Sequence, residues 1–284
     1  MMCLPWKPTK RPPSRGGAVL GLLLLLLLLP SSARTETAPF SFADGQIRCE
    51  VKSAEAPIPE LLHTSLPTAM KVALQEVGCP KGAALLTIQI KGKPSVTERI
   101  QSFFQAEAFA IQEGDTLQLH LSDNPLKLTF RLAHEFSHWL IAQQYPARPP
   151  LWLDEGLANN VGAKAAAATA RTLSQQVERP VPEDLEETGY SLAELTALEA
   201  YPTSEGRIAA FYWQAETLVR ALRKRLGTEA FTTYLGLLSS PDAPDWQLPL
   251  RERWYFTDGD LEWLARQILS TDAALPPDSQ SISP

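Results

Sequence analysis

The residues with the most to offer chemically are His134-Glu135-Phe136-Ser137-His138, an HExxH motif. Histidines four apart on a helix project from one face, so both imidazoles can bind a single metal ion. The glutamate between them lies beside that face, within reach of a water activated there. A hydrolytic zinc site takes three protein ligands and keeps one position open, so a third donor is needed. His63 and His120 are the only other histidines, and both read as surface or strand residues. A better donor stands in Trp152-Leu153-Asp154-Glu155-Gly156-Leu157-Ala158. Glu155 follows His138 at a distance that lets one helix finish, a short connector turn, and a second helix lay a carboxylate against the first. Asp154 is the rival, but neighbouring helix positions point about 100° apart, so one of the two faces the metal.

These side chains need two adjacent helices to hold them. Ser122-Asp123-Asn124-Pro125 combines a capping side chain with proline at the first helical position, which starts a helix running to about Gln144. Leu128, Leu132, Phe136 and Trp139 or Leu140 give it an apolar stripe. A connector, Pro146 to Pro150, leads to a second helix from Leu151 or Trp152 that the alanine-rich run Ala163–Ala170 continues or follows. Further helices are expected at Arg207–Leu226, ending at Gly227, at Thr228–Leu238 and at Asp260–Leu269. Upstream, Gln46–Lys52 alternates as a strand does, Leu66–Val77 reads as a helix, and Leu85–Lys91 as a strand. Phe109–Gln112 and Thr116–Ser122 form a hairpin around Glu113-Gly114-Asp115. Val177–Thr188 reads as an acidic loop near the site, its run Glu183–Glu187 solvated.

HEFSH followed by P-x-W-L-x-E-G-L-A resembles the gluzincin metallopeptidases, in particular the peptidase-MA-like family. The likeness extends in outline over residues 45–270, through Ala210-Phe211-Tyr212-Trp213-Gln214-Ala215 and Leu226-Gly227, although only the two motifs around the metal are specific. It implies one zinc ion per chain held by His134, His138 and Glu155, with Glu135 as general base and acid. It implies Tyr212 as the donor to the oxyanion; Tyr190 and Tyr201 are weaker alternatives that the resemblance does not single out. Asn159, one turn beyond Glu155, is placed to orient a ligand. The implied fold is α+β and zincin-like: a twisted mixed sheet with a helix, then the active-site helix, then a mainly helical part.

The first 33 residues stand apart. Lys7, Lys10, Arg11 and Arg15 form a basic region without acids, Ala18–Leu29 is apolar, and Ser31 and Ala33 are small residues suited to cleavage after Ala33. That pattern is a secretory signal peptide. Its apolar run is about half of the ~20 residues a spanning helix needs, so no stable membrane anchor is expected after cleavage. Four of the 26 basic residues and none of the 32 acidic ones lie in this prefix, leaving 22 against 32 and a net charge of −10. Nothing in that balance suits nucleic acid. Cys49 and Cys79 remain after cleavage, and an oxidising compartment favours a disulfide between them.

The expected organisation is a signal peptide at 1–33, a polar leader at 34–44, a peptidase domain at 45–271 and a disordered tail at 272–284. Within that domain, 45–122 is the sheet part and 123–271 the helical part. The expected function is an exported, periplasmic or extracellular, zinc-dependent metallopeptidase acting on peptide or protein substrates. Two other classes share these features: a zinc hydrolase of a non-peptide amide, and a non-catalytic binding protein that keeps the fold. Oligomeric state and cleavage preference have no signature in the chain.

Overall fold

The computed structural model describes residues 36–41, 47–53, 60–91, 110–120, 124–176, 181–182 and 184–270. Both the signal-peptide region and the expected tail lie outside them. Five strands form one mixed sheet: β1 (Glu36–Ser41), β2 (Ile47–Ser53), β3 (Ala84–Lys91), β4 (Ala110–Glu113) and β5 (Thr116–His120), in the order β1-β2-β3-β5-β4. The inner pairs β2–β3 and β3–β5 are parallel and the outer pairs antiparallel. A parallel step needs a crossover, and α1 (Glu60–Val77) supplies it between β2 and β3.

Alternation along the strands decides which face is covered. Ile47, Cys49 and Val51 of β2, Leu86, Ile88 and Ile90 of β3, and Leu117 and Leu119 of β5 are all buried. They pack in one core with Leu62, Leu66, Ala69, Met70, Ala73 and Val77 of α1, which recur at helical spacing along one side of that helix. Behind α1 come α2 (Pro125–Gln144) and α3 (Leu151–Leu173), the two helices that carry the motifs. The short helices α4 (Leu185–Thr188) and α5 (Leu192–Thr196) lead to α6 (Glu205–Leu226), and α7 (Thr228–Leu238), α8 (Gln247–Trp254) and α9 (Asp258–Leu269) complete the helical part.

The α+β class is therefore as expected, and several elements differ from the sequence reading. Residues 36–41, expected as a polar leader, form an edge strand in register with β2. Helix α1 begins at Glu60 rather than Leu66 and runs through Pro67. Helices α4, α5 and α8 have no counterpart in that reading. No disulfide joins Cys49 and Cys79, correcting the expected one: Cys49 is sealed inside β2 while Cys79 is exposed just beyond α1.

Three contacts fix the motif helices against the rest. The side chain of Asp115, in the β4–β5 turn, accepts from Trp139 Nε1 at 3.1 Å and Gln143 Nε2 at 2.9 Å, tying the sheet to the back of α2. Glu76 near the end of α1 pairs with Lys164 of α3 at 2.8 Å and Arg223 of α6 at 2.5 Å. Gly156 lets α3 touch α6, since a Cβ there would lie 2.4 Å from the Ala215 carbonyl oxygen.

Candidate metal centre

Asn124 caps α2, its side-chain oxygen accepting from the backbone N–H of Leu126 at 2.9 Å and Lys127 at 3.2 Å, and Pro125 opens the helix. That start sets the phase of everything downstream. Leu128, Leu132, Phe136 and Leu140 turn into the core, and His134 and His138 stand on the flank that meets α3. Gly162 of α3 sits against Phe130, where an added Cβ would be 3.0 Å from the ring, and Phe130 stacks on His134. The connector 145–150 then reverses the chain, so the first turns of α3 lie beside the histidines. Glu155 is only 3% exposed and His138 8%.

The three expected ligands come together. His134 Nε2 and His138 Nε2 are 3.1 Å apart. Glu155 Oε2 is 3.3 Å from His134 Nε2, and Glu155 Oε1 is 3.6 Å from His138 Nε2. Zinc bonds of about 2.0–2.2 Å at tetrahedral angles put neighbouring ligand atoms roughly 3.3–3.6 Å apart. The His134 Nε2–Glu155 Oε2 distance matches that edge, the two imidazole nitrogens lie slightly closer, and His138 Nε2 is nearer the other carboxylate oxygen.

The tautomers show what the cluster is built to hold. His138 Nδ1 lies 2.9 Å from Asp154 Oδ1, a carboxylate oxygen that can only accept. His134 Nδ1 lies 2.9 Å from Asn159 Oδ1, and the amide nitrogen of Asn159 points to the Tyr212 carbonyl at 3.5 Å. Both Nδ1 atoms therefore donate, which leaves a lone pair on each Nε2. Two imidazole lone pairs and a carboxylate then converge on one point. They repel one another unless a cation lies between them or an imidazole takes up a proton, as Asp154 and Glu155 favour at His138. Glu155 Oε2 is a buried oxygen without a hydrogen-bond partner, a costly arrangement that a bound ion relieves. Two imidazoles and a carboxylate are a donor set suited to zinc.

Charge follows the same logic. Burial pushes the Glu155 carboxyl up, but His138 and His134 outweigh it and hold it well below the usual carboxylate range. Burial would lower His138, yet Asp154 and Glu155 raise it well above the ordinary imidazole value. Glu135 is raised chiefly by burial, against the pull of both histidines and with the push of Glu155 and Asp154. A carboxyl whose proton affinity is lifted toward neutrality is suited to accepting a proton and giving it back.

The other candidates separate. Asp154 is not turned to the cluster's centre; it holds His138 from behind. Asn159 does the same for His134, as expected. Tyr212 is half-buried on α6, with its carbonyl on Asn159 and its ring against Phe211. Tyr201, considered only as an alternative oxyanion donor, instead donates its phenolic hydrogen to Glu155 Oε1. Tyr190 is buried beneath the Arg207 guanidinium, which lies 4.0 Å from its ring centre. His63 and His120 belong to α1 and β5 and are not part of the cluster, whose members among the described residues are His134, His138 and Glu155.

No protein-family model matches the chain, and no curated protein matches it. Among solved structures it is similar to an M1 zinc metallopeptidase from Deinococcus radiodurans, at 16% identity and a TM-score of 0.46, over 85% of this chain and 52% of that one. A mutant of that enzyme bound to a Tyr-Ser-Ala substrate matches at 14% identity and a TM-score of 0.45, over 85% and 53%. The chain thus spans about half the length of the structures it is similar to.

Proposed function

We propose that this protein is an exported, zinc-dependent metallopeptidase with His134, His138 and Glu155 as metal ligands. One observation carries the reading: donor atoms of two imidazoles and one carboxylate, both imidazoles held by their own orienting partners, lie together at close to the spacing of a tetrahedral zinc site. When bound, the ion supplies a Lewis acid that polarises a scissile carbonyl and makes a nucleophile available near neutral pH.

The chain's own residues do the rest. Asp154 and Asn159 hold the imidazoles in the tautomer that leaves Nε2 free. Glu135 takes a proton from the attacking water on its raised carboxylate and passes it to the leaving amine. Tyr212 offers its phenolic O–H to the oxyanion that develops on the scissile carbonyl. The basic and apolar prefix at 1–33 supports export, and no helix among the described residues is long and apolar enough to cross a membrane.

Hydrolysis of an unfolded protein by the purified chain, with and without a chelator, tests the reading. Cleavage that a chelator stops and zinc restores is expected. A chain that binds zinc and cleaves neither peptides nor other amides would instead be a binding protein on this scaffold.

A further inference from the structure

We propose that Tyr201 is a positioning residue for the metal: its hydroxyl caps Glu155 Oε1 and so forces Glu155 to ligate through Oε2 alone. The inference rests on the zinc-site reading above and adds a residue that neither motif contains. Tyr201 lies in the connector between α5 and α6, is 53% exposed, and yet reaches a carboxylate that is 3% exposed. Its ring stands edge-on to Phe211, at 6.3 Å and 88°. The segment that leads into the connector is anchored. The Ser191–Glu194 capping box fixes α5, and the buried Gln214 of α6 pairs with both the N–H and the carbonyl of Tyr190.

The two oxygens of Glu155 consequently differ. Oε1 accepts the Tyr201 hydrogen and lies 3.6 Å from His138 Nε2, while Oε2 has no hydrogen-bond partner and faces His134 Nε2 at 3.3 Å. With Oε1 engaged by the hydroxyl, Oε2 is the oxygen that would be left to hold the ion. Nothing else among the described hydrogen bonds holds this side chain. Asp154 and Asn159 orient the histidines, and Tyr201 does for the carboxylate what they do for the imidazoles. Loss of such an orienting partner typically weakens metal binding 10–100-fold.

The test is zinc affinity of the whole chain by competition with a chromophoric chelator, for wild type, Tyr201→Phe and Tyr212→Phe. The Co(II) absorption spectrum of each provides a second readout. Tyr201→Phe removes one oxygen from a half-exposed ring, so the fold is kept. Affinity reduced roughly tenfold or more in Tyr201→Phe, with a changed Co(II) spectrum, and neither change in Tyr212→Phe, is expected. Tyr201→Phe that binds zinc as tightly as wild type and gives the same spectrum overturns the proposal alone. Wild type that takes up no ion overturns the zinc site, and this proposal with it.

Discussion

Gly156→Ala is the substitution whose effect can be worked furthest from the structure. The new Cβ would lie 2.4 Å from the Ala215 carbonyl oxygen, 2.7 Å from its carbon and 2.7 Å from Val219 Cγ2. Two of those atoms are backbone of α6, so relief requires the helices to part by roughly half an ångström or more. Alanine in a helix interior gains about 1 kcal/mol over glycine. Overpacking against a rigid partner costs about 1–3 kcal/mol, and backbone contact puts this site at or above the upper end. A net loss on the order of 2 kcal/mol remains, or about 4–8 °C in Tm for a chain of this size. Because Glu155 is the adjacent residue, parting α3 from α6 also moves this proposed ligand, so zinc affinity should fall too. Thermal unfolding with a chelator present, followed by zinc titration, reads both effects. Gly162→Ala is the control, since its nearest atoms are at 3.0 Å and mostly belong to the Phe130 ring. A higher Tm for Gly156→Ala with unchanged zinc affinity would show that helix propensity wins and that α3 and α6 are not in such close contact.

Four further outcomes are expected. Glu135→Gln should lower kcat by about 10²–10⁴ while zinc stays bound, checked by turnover beside metal analysis. Asp154→Asn should weaken zinc binding about 10–100-fold by disturbing the His138 tautomer, measured by chelator competition. Without metal, the stability contributed by His138 is present below the ordinary imidazole pKa near 6.5 and is lost as pH rises through its raised folded value. Zinc must displace that proton, so the rise in Tm on adding zinc should grow with pH over the same window; a rise independent of pH would contradict it. Burial pushes the Cys49 thiol up to about 12, so an alkylating agent at pH 8 should label Cys79 and spare Cys49 until the chain is denatured, as read by mass spectrometry.

Local signals accounted for much of the site. Asn124-Pro125 announces the start of α2, and the helix begins there, because a cap and a proline act within one turn. Gly114 marks the β4–β5 turn at φ +57°, where a side chain is disfavoured. Helix length and the reach of a connector bring a carboxylate at 154 or 155 within range, and the family resemblance points to Glu155. What escaped depends on distant partners. Strand β1 is short and polar, and becomes a strand only by pairing with β2. Helix α1 runs through Pro67, so a reading that treats proline as a boundary loses its first turns. Spacing left Asp154 as a rival to Glu155, the family resemblance favoured Glu155, and neither could show that Asp154 orients His138, since that depends on how α2 and α3 pack. Tyr201 sits in an irregular connector, and nothing in its neighbours places it over Glu155, 46 residues earlier. The paired cysteines are an instructive failure: compartment and count favour a bridge, whereas β2 turns Cys49 inward and α1 leaves Cys79 at the surface.

The most direct test of the central claim is the metal content of the purified chain, measured for wild type, Glu155→Ala and Asp154→Ala. About one zinc per wild-type chain is expected, with Glu155→Ala losing it and Asp154→Ala retaining it at reduced affinity. Wild type without zinc, even after zinc is supplied, would mean that the converging donors of α2 and α3 hold no metal, and the peptidase reading would fall with them.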